Sequence, residues 1–217
     1  ILTVKFDTGL FDTHPTNGVI FDVVGSKEHK ELARVAVQQS LVLLKNTDVL
    51  PLSKKVDSIL VAGSSADTIG RQSGGWTVEW QGIDGNWIPG TTQLEGIKNI
   101  VSPTTDIQYD IHGVFPKQTA KADVGIAIVG EAPYAEGWGD NAHPSLSTED
   151  ITTSARLKAQ SNKLVVIIIS GRPLDIAPYS DNWDAVVAAW LPGTEGMGIA
   201  DVLFGDVPFT GRLPIEW

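Results

Sequence analysis

Leu164-Val165-Val166-Ile167-Ile168-Ile169-Ser170 places six apolar residues in a row with no polar residue between them. A strand with one wet face alternates apolar and polar positions, whereas an unbroken run suits a strand buried on both faces. The run is far shorter than the roughly 20 residues of a membrane-spanning helix. Upstream, Val124-Gly125-Ile126-Ala127-Ile128-Val129-Gly130 and Ser58-Ile59-Leu60-Val61-Ala62-Gly63 read as strands of the same kind, and Ala185 to Trp190 reads as a fourth. Helical spacing marks Thr92 to Val101, Thr148 to Gln160 with Thr148 as a cap, and about Glu195 to Phe204 behind Gly193-Thr194. One further helix is expected from Ser26, a capping residue with acidic Glu28 in the first turn, as far as Lys45. Its apolar positions are Leu32, Val35, Ala36, Val42 and Leu43, and Asn46 and Pro51 stop it. Helices alternating with buried strands specify an α/β fold, a doubly wound, mostly parallel sheet of the flavodoxin-like sandwich type. Ligands of such sheets bind outside the carboxyl ends of the strands, so functional residues should follow Gly63, Gly130, Ser170 and Trp190.

The rest of the chain narrows the chemistry. Its 217 residues, 42% apolar and 19% charged, fit one or two folded domains. With 16 Lys and Arg against 26 Asp and Glu, the net charge of −10 argues against nucleic acid or an anionic membrane as the main partner. The absence of cysteine excludes disulfides, thiolate metal sites and a cysteine nucleophile. His14, His29, His112 and His143 are scattered and no H-E-x-x-H occurs, so no metal site is expected. The loop after Gly63 is neither a dinucleotide fingerprint nor a P-loop, and no G-x-S-x-G marks a serine hydrolase. Residues 1–26, punctuated by Gly9, Pro15, Gly18 and Gly25, read as a linker, and both ends read as cut from something longer.

Three strand-end loops carry the remaining signals. Residues 71–82 hold Trp76 and Trp80 among glycines, with Gln81 beside them. They make either a sugar-stacking platform with a hydrogen-bonding rim or a packed loop. Residues 130–140 place Glu131 directly after a buried strand, where a carboxyl is held rigidly enough for proton transfer. Glu136 and Asp140 compete for that role, and the loop reads equally as a solvated acidic one. Arg172, in Ser170-Gly171-Arg172-Pro173, either holds a carboxylate, caps a helix or makes a structural ion pair.

Lys45-Asn46 with Leu50-Pro51-Leu52, Gly74-Gly75-Trp76-Thr77, Gly130-Glu131-x-Pro133-Tyr134, Ser170-Gly171-Arg172-Pro173, Trp190-Leu191-Pro192-Gly193-x-Glu195-Gly196 and Phe204-Gly205-Asp206 follow one another in that order. Together, over about residues 28 to 217, they resemble the second domain of glycoside hydrolase family 3, the exo-acting β-glucosidases and β-glucan glucohydrolases. The resemblance implies a linker over 1–26 that leaves an N-terminal (β/α)8 barrel outside this chain, and an α/β sandwich domain over 27–217. It implies a retaining mechanism with two carboxylates about 5 Å apart. The nucleophilic Asp would lie on the barrel, and Glu131 would be the acid/base with Glu136 as its rival. Trp76 would stack on the leaving sugar, with Trp80, Gln81 and Arg172 supporting. The implied partners are a β-glucoside or β-glucan oligosaccharide and the barrel domain. No cofactor is implied, and the location would be periplasmic or extracellular. A non-catalytic carbohydrate-binding or interaction domain is the alternative reading of the same loops.

Overall fold

A computed structural model of the chain describes residues 1–13 and 23–217. The chain divides into two compact units, Ile1–Ala33 and Arg34–Trp217. The first contains helix α1 (Leu2–Asp7) inside the stretch expected to be irregular. Leu2, Val4 and Phe6 are exposed there, and Phe6 packs on Phe11 at 4.6 Å between ring centroids. Pro15 and Gly18, two of the breaks expected in the linker, lie outside the described residues.

Helix α2 (Lys27–Ser40) begins as expected, with Ser26 Oγ accepting the His29 N–H at 3.3 Å, but it stops five residues short of Lys45. Val42–Asn46 is instead strand β1. The four apolar residues Leu41 to Leu44 satisfy helical and extended periods alike. The open edge of the sheet settles the matter by offering backbone partners, and β1 pairs antiparallel with β6, Val42 opposite Ala188.

The other strands are β2 (Ser58–Ala62), β3 (Asp106–Tyr109), β4 (Ala122–Gly130), β5 (Ser161–Ile169) and β6 (Ala185–Trp190). They form one six-stranded sheet in the order β1-β6-β5-β4-β2-β3, parallel except for β1. Five further helices complete the unit: α3 (Ile69–Ser73), α4 (Gln93–Ile100), α5 (Thr148–Gln160), α6 (Ala177–Ser180) and α7 (Gly196–Leu203). The N-cap of α5 is Ser147, whose Oγ accepts from Asp150 N, and not Thr148. Thr92 caps α4 in a reciprocal box with Glu95.

Both faces of the sheet are covered, which explains the unbroken apolar runs. Val165, Ile167 and Ile169 enter one core with Ile126, Ile128 and the inner faces of α4 and α7. Leu164, Val166 and Ile168 enter the other with Val129, Leu157 of α5 and Trp183. Each fully buried side chain of this kind contributes about 1.5–3 kcal/mol. Arg34 Nε and Nη2 donate to Asp201 at 2.6 and 2.5 Å, and Gln38 Nε2 donates to the same carboxylate, fastening α2 to α7.

The chain runs outward from β2 to β3, then returns to the other side of β2 to make β4, β5 and β6 in turn. The order therefore reverses between β2 and β4. A crevice opens at the carboxyl ends where such a reversal occurs, and the loops singled out in the sequence start there.

Candidate active site

Glu131 leaves the end of β4 with its backbone still tied to the sheet, its N–H donating to Ile169 O at 3.0 Å. The residue before it is constrained by close approach. A Cβ on Gly130, at φ +157°, would stand 1.9 Å from Ile169 O, so a side chain there would push β4 and β5 apart. The Glu131 side chain is 14% exposed and fully engaged. Arg172 donates to Oε1 from Nε at 3.1 Å and from Nη2 at 2.7 Å, and Tyr134 OH donates to Oε2 at 3.1 Å.

Arg172 is itself fixed. Its Nη1 donates to Gly139 O at 2.7 Å, and its guanidinium sits 4.5 Å above the Tyr134 ring. Charge-assisted bonds of this kind hold geometry as well as contribute energy. The hydrogen bond to Glu131 raises the Arg172 pKa, and burial followed by the Glu131 charge raises that of Tyr134. The guanidinium therefore remains charged, and the phenol keeps its proton in neutral solution. Arg172 therefore pairs with a carboxylate, an arrangement common to the carboxylate-holding and ion-pair readings and not to the helix cap.

The Trp loop is built differently. Trp76 and Val78 sit at φ +58° and +62°, in the left-handed region that bulky and β-branched residues avoid. Trp76 N donates to Trp80 O at 2.9 Å, closing a tight turn that projects Trp76, 71% exposed, into solvent. The two indoles lie 6.2 Å apart, tilted by 59°. Trp76 at 71% and Trp80 at 49% are thus both exposed and do not pack under the loop.

Gln81 ties the two loops together. Its Oε1 accepts from Ala135 N at 2.9 Å and its Nε2 donates to Glu136 O at 3.4 Å. Trp80 Nε1 donates to Glu136 Oε2 at 2.7 Å, and this bond holds the Glu136 carboxyl below its usual range. Gly75 packs so closely on Tyr134 that a Cβ would stand 2.0 Å from Tyr134 O.

Two anchors hold the Trp loop from below. Gln72, fully buried, donates to Gly193 O and accepts from Gln93 N. Arg71 Nε and Thr68 Oγ1 both donate to Asp84. Burial tends to raise the Asp84 pKa, but these two bonds, the Arg71 charge and the Gly85 N–H together outweigh it and the net shift is downward.

Glu131, Tyr134, Arg172, Trp80, Gln81 and Glu136 are therefore brought to one rim, at the switch point. In the sequence Tyr134 stands out only as part of the Gly130-Glu131-x-Pro133-Tyr134 motif. Its spacing, three residues after Glu131 across a proline, was the available signal. Gln72 had no signal, because its partners Thr91, Gln93 and Gly193 come from distant segments. Among the described residues, no group of three or more His, Asp or Glu side chains is placed to hold a metal ion, and no helix is long and apolar enough to cross a membrane.

The chain is similar to known proteins in sequence and in fold. The family model of the glycosyl hydrolase family 3 C-terminal domain matches residues 41–217. A lysosomal beta glucosidase of Dictyostelium discoideum is 35% identical over all of this chain and 29% of its own length. A periplasmic beta-glucosidase of Salmonella typhimurium is 33% identical over all of this chain and 33% of its own length. Among solved structures, an exo-1,3/1,4-beta-glucanase from a Pseudoalteromonas species superposes with a TM-score of 0.85 at 36% identity, over 98% of this chain and 28% of that one. The chain thus spans about a third of the length of these proteins. The sheet order, the strand-end loops and the match over residues 41–217 together make this chain a member of the glycosyl hydrolase family 3 C-terminal domain family.

Proposed function

We propose that this chain supplies the acid/base half of a retaining exo-β-glucosidase or β-glucan glucohydrolase site, with Glu131 as the proton-transfer residue. The observation that carries the reading is the clamp on Glu131, a carboxylate at the switch point held by Arg172 and Tyr134 from two different loops. Glu131 in its acid form gives its proton to the leaving glycosidic oxygen. The carboxylate left behind is received by the Arg172 fork and the Tyr134 hydroxyl. The same carboxylate then takes a proton from the water that releases the sugar.

Trp76 offers an exposed face for the leaving sugar, and Trp80 and Gln81 hold the loop that presents it. Glu136, bonded to Trp80 and outside the Arg172–Tyr134 clamp, ties the two loops and is the rival for the acid/base role. The nucleophile would come from an N-terminal barrel domain reached through residues 1–26. The substrate would be a β-glucoside or β-glucan oligosaccharide, and no cofactor enters the scheme. The net charge and the periplasmic name of the Salmonella relative support a periplasmic or extracellular site of action.

The test uses the chain assembled with a family barrel domain. Glu131→Gln should lower kcat on a poor leaving group, such as an alkyl β-glucoside, by about 10³-fold. It should slow glycosyl-enzyme formation from a dinitrophenyl β-glucoside far less, because that leaving group needs no proton. Equal losses on both substrates, or a larger loss from Glu136→Gln, would reverse the assignment. The 217-residue chain alone should be nearly inactive on an aryl β-glucoside, and hydrolysis at ordinary glycosidase rates would overturn the scheme.

A further inference from the structure

Two donors hold the Glu131 carboxylate, and they are anchored differently. Arg172 is pinned by its own bond to Gly139 O. The Tyr134 hydroxyl, 3.1 Å from Glu131 Oε2, comes from the same loop as Glu131, and residues 131–135 belong to no helix or strand. No ladder of hydrogen bonds fixes Tyr134, so its place depends on what grips residues 133–135.

The Trp loop supplies that grip. Gln81 Oε1 accepts from the Ala135 N–H at 2.9 Å, directly after Tyr134, and among the described residues this N–H has no other acceptor. Ala135 is 8% exposed, which leaves water little access to take the place of Gln81. Gly75 packs against the Tyr134 carbonyl, and a Cβ on Gly82 would stand 2.7 Å from Pro133 Cβ. Gly139 packs on the Tyr134 ring itself. The main chain around Tyr134 is therefore shaped on one side by Gly75, Gln81 and Gly82 of the neighbouring loop.

The two ties between the loops differ in what they fix. Trp80 Nε1 donates to the exposed Glu136 side chain, which can swing without moving the main chain. Both bonds of Gln81 end on the main chain, at Ala135 N and Glu136 O. A shift of Gln81 is carried straight into residues 134–136, and through the phenol to Glu131.

We propose that Gln81 is a positioning residue for proton transfer, holding the main chain after Tyr134 so that the phenol meets Glu131 Oε2. The loop that carries the sugar platform supports the acid/base through this one side chain, while Trp76 stays outside that role. The inference rests on the reading of Glu131 as the proton-transfer residue.

The test uses the chain assembled with a family barrel domain. Gln81→Met keeps the length of the side chain and removes the acceptor, whereas Gln81→Glu keeps an oxygen for Ala135 N. Gln81→Met should lower kcat on an alkyl β-glucoside about tenfold, with KM within about twofold of the parent. Glycosyl-enzyme formation from a dinitrophenyl β-glucoside should stay within about twofold, because that step needs no proton. Gln81→Glu should bring kcat back to within about threefold of the parent. A rise in KM at unchanged kcat would make Gln81 a prop for the platform alone and overturn the inference. Equal losses on both substrates, or no recovery in Gln81→Glu, would overturn it too, because a collapsed loop gives the same result. If Glu131→Gln shows no dependence on the leaving group, the reading of Glu131 falls and this inference with it. If Glu131→Gln shows that dependence and Gln81→Met does not, only the role of Gln81 falls.

Discussion

The Glu131 clamp and the Trp76 platform share one rim but are built on opposite principles. Glu131 is 14% exposed, with three donors from two loops and its own N–H inside the sheet ladder. Trp76 is 71% exposed on a turn whose backbone is left-handed at two residues that are not glycine. The first is over-determined by its surroundings. The second is held against its local preference by Gln72, Gln81 and Asp84 beneath it. The proton transfer proposed for Glu131 calls for placement to a fraction of an ångström, and rigid strand ends with interlocked donors provide that. The sugar stacking proposed for Trp76 needs an accessible apolar face, and strain in its turn is the cost of projecting it.

Experiments on either side of the contrast should differ in kind as well as size. After Glu131→Gln, the largest effect should come from Arg172→Ala, which removes two charge-assisted bonds worth about 1.5–3 kcal/mol each from Glu131. We expect kcat to fall about 10²-fold with KM little changed and the pH–rate profile altered. Arg172→Lys should rescue only part of it, because an ammonium cannot reproduce the fork. A purely structural Arg172 would leave the pH profile in place.

Trp76→Ala should act the other way round. We expect KM for an oligosaccharide to rise about tenfold with the pH profile unmoved, the signature of lost uniform binding. If kcat falls and KM does not, the platform is part of the clamp and the contrast disappears.

Acid should loosen the platform through Asp84. Its folded pKa is lowered, so its contribution is full above the usual aspartate value of about 4 and is lost as pH falls through the folded value. Tryptophan fluorescence and protease nicking at residues 74–82 should therefore change below about pH 4, and Asp84→Asn should abolish that transition. The smallest effect is expected from Val78→Gly. Relief of the positive φ outweighs the added freedom of the unfolded chain, for a gain of up to about 1 kcal/mol in thermal unfolding. A loss of stability would mean that the turn is not strained.

Much of the scaffold was legible before any coordinates. The unbroken runs in β2, β4, β5 and β6 announced strands covered on both faces, and α4, α5 and α7 fell within about a residue of their periodic patterns. Strand β3, Asp106–Tyr109, was invisible because an edge strand of mixed polarity carries no apolar run. Strand β1 was misread because Leu41 to Leu44 fits two periods and the deciding partner, β6, lies near the other end of the chain. At the site, Glu131 and Arg172 stood out as strand-end residues. That Arg172 grips Glu131, and that Trp80 occupies Glu136, depended on how neighbouring loops cross.

By itself the amino-acid sequence determined the layered α/β architecture, the strand ends where chemistry would gather, and the residue types available there. These follow from burial and backbone periodicity, which are local and repeat along the chain. Only the tertiary structure decided which carboxylate is clamped and which is a tie, and which tryptophan faces solvent. Those outcomes depend on distances between segments far apart in the chain, and pairwise electrostatics and hydrogen bonding are set by such distances and not by residue order.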